Sequence, residues 1–228
     1  MTLSGKTVLV TGASRGFGFA AARAFGEAGA HVIAVARTVG GLEELDDAIQ
    51  TAGGAATLVP LDIQDSDGLA RMGAALHERF GGVDIWLHTA CHAPPLSTLE
   101  QADAKDMDKT IAINIRSFQH LIRVVDPLLR ARDGALALIA TDDRTGHKFF
   151  GAYAAAKAAQ SAMTRSWAAE AQKWITIVEV MPPGMPTALR ARFFPGENRE
   201  ALTQCDVAAE RLMTALATPT ALIDLRDG

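Results

Sequence analysis

The chain has 228 residues, of which 49% are hydrophobic and 21% charged, and its formal net charge is −4. This balance excludes a disordered chain, and an acidic excess without a basic block argues against nucleic acid or an anionic membrane as the main partner. The only cysteines, Cys91 and Cys205, form neither a disulfide framework nor a zinc-binding spacing, as is typical of a reducing compartment. No apolar run approaches the ~20 residues of a membrane span, and the first apolar strand leaves no room for a signal peptide. We therefore expect a cytoplasmic protein.

Short β-branched runs alternate with longer alanine-rich segments along the whole sequence. They predict strands at 7–11, 31–36, 57–60, 84–89, 135–141, 176–181 and 221–225, and helices at 16–28, 42–52, 68–80, 102–132 (with one break), 152–172 and 207–217. Gly29 and the pair Gly53-Gly54 are predicted helix stops, and Ser66 is a predicted helix cap. Strands that are apolar on both faces are typical of a helix-covered parallel sheet. The pattern predicts a single doubly wound Rossmann-type α/β domain over 1–228, a seven-stranded parallel sheet with helices on both faces.

The first predicted strand leads directly into a glycine-rich turn, Gly12-Ala13-Ser14-Arg15-Gly16-Phe17-Gly18, and a helix follows. Glycines there let a dinucleotide pyrophosphate approach backbone N–H groups at the positive end of that helix. The same residues also satisfy Gly-x-Ser-x-Gly, the nucleophile elbow of hydrolases, but that alternative needs several strands before Ser14 and a late histidine, whereas the last histidine is His147. The turn predicts a dinucleotide site whose contacts are Gly12, Ser14, Arg15, Gly16, Phe17 and Gly18.

The end of the second predicted strand reads Val-Ala-Arg37-Thr and carries no acid. Dinucleotide folds place Asp or Glu at this point for the ribose hydroxyls, whereas an arginine accommodates a 2′-phosphate. Arg15 and Arg37 therefore predict NADP(H) in preference to NAD(H), the alternative being two solvated surface arginines. Asp62 and Ile63, just past the third strand, are predicted to contact the adenine edge and ring face. Asp62 could equally cap the next helix.

Tyr153, the only tyrosine of the chain, lies four residues before Lys157 in a predicted helix, so the two side chains share a face. A neighbouring cation favours the ionised phenol and lowers its pKa, which makes a tyrosine usable as an acid or base near neutral pH. For this pair taken alone, the alternative is an ordinary contact on a helix surface.

With the glycine turn before it, the Tyr-x-x-x-Lys pair makes the chain similar to the short-chain dehydrogenase/reductase family from residue 6 to about residue 224. The resemblance implies that Tyr153 exchanges the proton at the substrate oxygen and that Lys157 orients the nicotinamide ribose. It also implies that Asn114 supports a proton-relay water and that a hydroxyl near Thr141 positions the substrate carbonyl. Further implied cofactor contacts are Ala90, Pro183, Gly184 and Thr187. Members of this family are commonly homodimers or homotetramers, and we expect the same here.

Two segments depart from the family pattern. Counting back from Tyr153, the usual serine position falls on Ala140, and Thr141 is one residue closer. The family's Asn-Asn-Ala-Gly is replaced by His-Thr-Ala-Cys at 88–91, where we interpret His88 as a structural substitute for asparagine rather than a second catalytic group. We interpret Asp142, Asp143 and His147 as part of a solvated charged loop, and no metal is predicted.

The sequence thus predicts an NADP(H)-dependent oxidoreductase acting on a small-molecule carbonyl/secondary alcohol pair. The alternative, favoured by the altered 88–91 segment, is a non-catalytic or weakly active dinucleotide-binding sensor or scaffold of the same fold. The segment 187–205 is predicted to be a short substrate loop. The phenylalanine pairs at 149–150 and 193–194 are expected to form an apolar acceptor pocket.

Overall fold

The fold is a parallel β-sheet between two layers of helices, and the computed structural model describes residues 2–226. Seven strands form one sheet in the order β3-β2-β1-β4-β5-β6-β7, and every neighbouring pair is parallel. The strands are β1 (Thr7–Thr11), β2 (His31–Ala36), β3 (Ala55–Pro60), β4 (Ile85–His88), β5 (Ala135–Ala140), β6 (Ile175–Met181) and β7 (Leu222–Asp224). The predicted fold class is therefore confirmed.

The helices that join these strands differ from the prediction at two places. They are α1 (Gly16–Glu27), α2 (Val39–Thr51), α3 (Ser66–Phe80), α4 (Ala104–Ile111), α5 (Ser117–Arg130), α6 (Gly151–Ala171), α7 (Ala188–Phe193) and α8 (Cys205–Ala215). The break expected within 102–132 is wrong, because a π-helical turn, Ala112–Arg116, carries α4 into α5 without interruption. Helix α7 was not predicted, since six residues are too few to show a helical period.

Two hydrophobic layers, one on each face, hold the sheet. Successive side chains of a strand point to opposite faces. Val8 and Val10 accordingly pack in the layer beneath α1, α2 and α8, while Leu9 and Trp86 pack in the layer beneath α3, α5 and α6. All five residues of β1 are buried, which explains why the central strands read as continuous apolar runs.

The helix ends follow local rules, with one correction. Gly29 and Gly53 adopt φ of +92° and +81° after α1 and α2, the left-handed conformation that favours glycine at a helix stop. The predicted cap Ser66 is wrong: Asp65 caps α3, with its side chain accepting a hydrogen bond from the Gly68 N–H at 2.9 Å. Asp62 is therefore not the cap of this helix either.

The strand order reverses between β1 and β4, and this reversal places the ligand cleft. Helices on either side of the reversal leave toward opposite faces of the sheet, which opens a crevice at the carboxyl ends of the strands. Among residues 2–226, no helix combines the length and the apolar character needed to cross a membrane.

Candidate active site

A cleft of ≈ 690 Å³ lies at the carboxyl ends of the central strands, where the strand order reverses. Its size suits a small-molecule or cofactor site. Every cofactor contact predicted from the sequence lines this cleft, as do Tyr153, Lys157 and Thr141. Asn114 lies behind the lining and is buried. The fold thus brings together residues that are up to about 175 positions apart in the sequence.

The glycine turn leaves no room for side chains at its two ends. Gly12 has a φ of +91°, and a Cβ there would lie 2.6 Å from both the Ala90 nitrogen and the Thr89 Oγ1. A Cβ on Gly18 would collide with the Gly12 carbonyl oxygen and the Thr89 hydroxyl. The Thr89 Oγ1 donates to the Thr11 carbonyl at 3.0 Å, which ties β4 to the turn. The turn is therefore a close-packed cradle of backbone at the start of α1, the environment that a pyrophosphate needs.

The remaining turn residues and the segment 183–187 approach the cradle from two sides. Arg15 is exposed at the N-cap of α1, Ser14 is half-buried and Phe17 is buried. Thr187 lies across the cleft, and its methyl carbon would be 3.2 Å from a Cβ on Gly16. The Thr187 hydroxyl accepts a hydrogen bond from the Arg190 N–H and caps α7. Pro183 and Gly184 precede it along the rim.

Charged and apolar groups predicted to hold the adenosine half lie together beyond β2 and β3. Arg37 is exposed and Asp62 is half-buried, with the Arg37 Nη1 3.6 Å from the Asp62 Oδ2. Ile63 is buried beside them. The Asp62 Oδ1 also accepts the Gln64 N–H at 3.0 Å, so the carboxylate shapes the turn before α3.

Tyr153 and Lys157 project from the buried face of α6 and are 3% and 6% exposed. The Tyr153 ring packs edge-on against Phe150 and Phe193, with ring centroids 6.4 and 4.9 Å away. The Lys157 Nζ donates to the Ala140 carbonyl at 2.8 Å and to the Gln160 Oε1 at 2.9 Å. Both side chains are held in place, so the pair is a built feature of the cleft and not a surface contact.

Asn114 belongs to the π-helical turn between α4 and α5, and π-turns are frequent at functional sites. Its side chain makes two hydrogen bonds with the backbone of His92: the Oδ1 accepts from the N–H at 2.7 Å, and the Nδ2 donates to the carbonyl at 2.9 Å. The asparagine side chain therefore braces the segment that follows β4.

The Tyr153 hydroxyl donates to the Asp142 Oδ2 at 3.3 Å, a contact that sequence reasoning missed. The interpretation of Asp142 as a loop residue in solvent is therefore wrong, although Asp143 on the same loop is exposed. Asp142 also pairs with Arg144 at 3.2 Å. Thr141 continues the sheet through its N–H, which donates to the Val180 carbonyl at 2.7 Å. The sequence position of Asp142 could have identified it, because the residue lies just past β5, where the strand ends meet the cleft.

The pKa of Tyr153 is shifted upward, whereas the sequence predicts a lowered pKa. Burial, the nearby Cys91 thiol and the Asp142 carboxylate raise the pKa of Tyr153 well above its ordinary value. The Arg144 guanidinium acts in the opposite direction and lowers the pKa of Tyr153 by a smaller amount. Burial likewise raises the pKa of the Cys91 thiol. In this structure the phenol is thus held in its protonated form.

His88 lies in the sheet core beneath the cleft. Its Nδ1 is 2.8 Å from the Thr11 Oγ1, and its ring stacks against Phe118 at 5.1 Å. The His88 Nε2 is buried and has no hydrogen-bond partner among the described residues. Burial, with a smaller contribution from Lys157, lowers the pKa of His88 to about 3, so the ring is neutral at physiological pH. These contacts favour the structural interpretation of His88.

Acidification is expected to destabilise the protein through His88. The unfolded chain binds a proton near the ordinary pKa of 6.5 and the buried ring only near 3, so the free energy of unfolding falls as pH drops through this window. Between pH 7 and 5 we expect the wild type to lose about 2 kcal/mol more than His88→Asn, by urea unfolding. His77→Asn, on the exposed face of α3, should keep the wild-type pH dependence. Equal losses in His88→Asn and wild type would contradict this account.

Comparisons with known proteins agree with the geometry. The short chain dehydrogenase family profile matches residues 6–198. The chain is 33% identical over 207 residues to 3beta-hydroxysteroid dehydrogenase 1 of Eggerthella lenta, covering 89% of this chain and 79% of that protein. It is 32% identical to a fatty acyl-CoA reductase of Mycobacterium tuberculosis, covering 95% and 75%. A short chain dehydrogenase of Shigella flexneri 2a complexed with NADP superposes with a TM-score of 0.91 at 26% identity, covering 98% of each chain.

Fold, site and relatives together define an NAD(P)-dependent oxidoreductase. The chain belongs to the short-chain dehydrogenase/reductase family. The hydrolase alternative for the glycine turn is therefore wrong, and the fold agrees, because within the described residues only one strand, β1, precedes Ser14.

Proposed function

We propose that this protein is an NADP(H)-dependent oxidoreductase that interconverts a carbonyl and a secondary alcohol, with Tyr153 as the acid/base. The observation that carries the proposal is the placement of Tyr153 and Lys157, buried and fixed, in the same cleft as the glycine cradle. A binding module has no need of an oriented phenol and ammonium at this point.

The residues present fit a dinucleotide. The backbone cradle of Gly12, Gly16 and Gly18 would hold the pyrophosphate, since Cβ atoms at the first and last positions would occupy space already filled. Thr187 and Gly184 would contact the carboxamide, and Asp62, Ile63 and Ala90 the adenosine half and the ribose. When bound, the nicotinamide supplies or accepts a hydride.

The chain's own groups supply placement and proton transfer. Tyr153 would exchange a proton with the substrate oxygen, and Lys157 would hold the nicotinamide ribose through its remaining N–H group. Thr141 lines the cleft and would hydrogen-bond the same substrate oxygen. Asn114 would hold the segment after β4 in place. The aromatic side chains of Phe150, Phe193 and Phe194 beside Tyr153 favour an apolar substrate, as do the names of the steroid and fatty acyl-CoA relatives.

The preference for NADP(H) rests on two exposed guanidiniums beside the predicted adenosine site. Arg15 and Arg37 line one end of the cleft, and no acid follows β2. A 2′-phosphate would give charge-assisted bonds to these groups, whereas an acid at this point would select the free ribose hydroxyls of NAD(H). The Shigella relative complexed with NADP supports this preference.

The test is a fluorescence titration of the purified protein with NADPH and with NADH. NADPH binding that is at least about tenfold tighter, a difference of about 1.4 kcal/mol, supports the proposal and justifies a screen of apolar carbonyl substrates. Equal affinities would contradict the cofactor preference. Binding of neither would contradict the whole proposal and favour a scaffold of the same fold.

Arg37→Ala is expected to weaken NADPH binding by about 10- to 100-fold and to change NADH binding by less than about twofold. Hydrogen bonds to a charged group contribute about 1.5–3 kcal/mol, and NADH lacks the phosphate that would accept them. Titration of both nucleotides measures the effect. Arg71→Ala, which removes an exposed arginine on α3 outside the cleft, serves as the control. Parallel losses for both nucleotides would contradict a specific phosphate contact.

We also infer that the protein is cytoplasmic, as its two unpaired cysteines indicate, and that it forms a homodimer or homotetramer, as its family resemblance implies. Sedimentation equilibrium of the purified chain tests the oligomeric state.

A further inference from the structure

The hydroxyl of Tyr153, the proposed acid/base, hydrogen-bonds the carboxylate of Asp142, which reaches toward solvent. Tyr153 donates to the Asp142 Oδ2, and Asp142 pairs with Arg144 on the loop after β5. The Asp142 side chain retains 30% of its exposure, whereas Tyr153 is almost fully buried. The 3.3 Å separation between Tyr153 and Asp142 is long for such a bond, but catalytic hydrogen bonds often tighten only when substrate binds. Asp142 therefore links a buried phenol to the solvent side of the cleft.

Gln160 lies between the Lys157 ammonium and the π-helical turn that carries Asn114. Its Oε1 accepts from the Lys157 Nζ at 2.9 Å, and its Nε2 points to the Asn114 carbonyl at 3.5 Å. Gln160 is 2% exposed, so its amide fills the space between the ammonium and the π-helical turn. A water in that space could pass a proton from donor to acceptor. A carboxamide bridges the same two groups but does not exchange protons readily, and it has no ionisable form near neutral pH.

We propose that Asp142 is a second acid/base residue, through which protons reach and leave Tyr153, and that Gln160 closes the route past Lys157 and Asn114. This inference rests on the proposed function. In the oxidative direction, the hydride on the alcohol carbon would leave for the oxidised nicotinamide as the O–H bond breaks, and the hydroxyl proton would pass to the Tyr153 oxygen. The phenolic proton passes at the same time to the Asp142 carboxylate, which releases it to water. In the reductive direction each proton moves the opposite way, from water through Asp142 and Tyr153 to the substrate oxygen.

The charges around this route come from several elements. Cys91, after β4, lies beside the Tyr153 hydroxyl, and Arg144 lies beside Asp142 on the same loop. Lys157 approaches from α6, and its ammonium lowers the pKa of the Cys91 thiol, against the larger effect of burial. Phe193 of α7 and Phe150 contribute apolar surface to the same surroundings. Asp142 is the one carboxylate that hydrogen-bonds the phenol within residues 2–226.

The first experiment needs neither cofactor nor substrate, because Tyr153 is the only tyrosine. Its ionisation is followed by tyrosinate absorbance, or by a single ¹³Cζ resonance after tyrosine labelling. We expect the phenol of Asp142→Asn to ionise at least about one pH unit lower than in wild type, because a hydrogen-bonded anion has been removed. The control Asp143→Asn removes an exposed carboxylate one residue along the loop and should titrate like wild type. Asp142→Asn titrating like wild type would overturn the proposal.

The second experiment measures turnover against pH in both directions with a substrate found in the screen. We expect Asp142→Asn to lose about 100-fold in kcat and to differ from wild type in the pH dependence of oxidation, since the carboxylate that takes up the phenolic proton has been removed. An unchanged rate and profile would overturn the proposal. If Tyr153→Phe is inactive while Asp142→Asn behaves like wild type, only this inference fails. If Tyr153→Phe is active, the proposed function fails first.

A double variant tests the role proposed for Gln160. Asp142→Asn combined with Gln160→Ala opens a space that water can enter between Lys157 and the Asn114 carbonyl. We expect the double variant to recover at least about tenfold of the rate lost in Asp142→Asn. A double variant no faster than Asp142→Asn, with an unchanged melting temperature, would overturn the role of Gln160.

Discussion

Tyr153→Phe is expected to lower kcat for carbonyl reduction by a factor of about 10² to 10⁴, the usual contribution of general acid–base catalysis. The substitution removes one oxygen and leaves the ring that packs against Phe150 and Phe193. The substrate oxygen then has no acid to protonate it as hydride arrives. The decisive measurement is the steady-state loss of NADPH absorbance with a carbonyl substrate, for wild type and variant.

The interpretation of that loss depends on the variant remaining folded and able to bind cofactor. NADPH affinity within about threefold of wild type and an unchanged melting temperature would assign the loss to chemistry, because uniform binding energy is then intact. Turnover above about a tenth of the wild-type rate would contradict the role of Tyr153 as acid/base.

Gly12→Ala is expected to abolish NADPH binding and to lower the free energy of unfolding by about 2–5 kcal/mol. Two effects act together: a side chain at φ +91° is strained, and its Cβ would lie 2.6 Å from the Ala90 nitrogen and the Thr89 Oγ1. Strained backbone and overpacking each contribute about 1–3 kcal/mol. Since the cradle and β4 are held together at this point, any movement that relieves the overlap displaces the pyrophosphate-binding backbone. Urea unfolding and NADPH titration measure the two consequences.

Gly53→Ala separates the two effects. Gly53 has a similar φ of +81°, but a Cβ there would meet nothing within 4 Å, and the residue lies after α2, away from the cleft. We expect Gly53→Ala to lose only the strain contribution and to bind NADPH normally. If Gly12→Ala were no less stable than Gly53→Ala and bound NADPH equally well, the close packing of the cradle would have no functional consequence.

Much of the fold could be predicted from the sequence because it depends on local patterns. The apolar run of β1 and the alternation of runs with helical segments determine a parallel sheet with two covered faces, and the glycines after β1 determine a backbone cradle. The four-residue spacing of Tyr153 and Lys157 places both on one helix face wherever the helix packs. Asn114 was identified only through the family resemblance, and its hydrogen bonds with His92 follow from the π-helical turn that the sequence pattern did not show.

The tertiary structure alone decided the electrostatics and the proton environment of the site. Asp142 reads as a loop carboxylate in the sequence, and only the path of the chain after β5 turns it toward the Tyr153 hydroxyl. Gln160 shows no signal in a helical pattern, yet its amide bridges Lys157 and the Asn114 region across two elements. The raised pKa of Tyr153 and the lowered pKa of His88 follow from burial and from neighbours distant in sequence. A pKa depends on distances and on lost solvent, which exist only once the elements have packed.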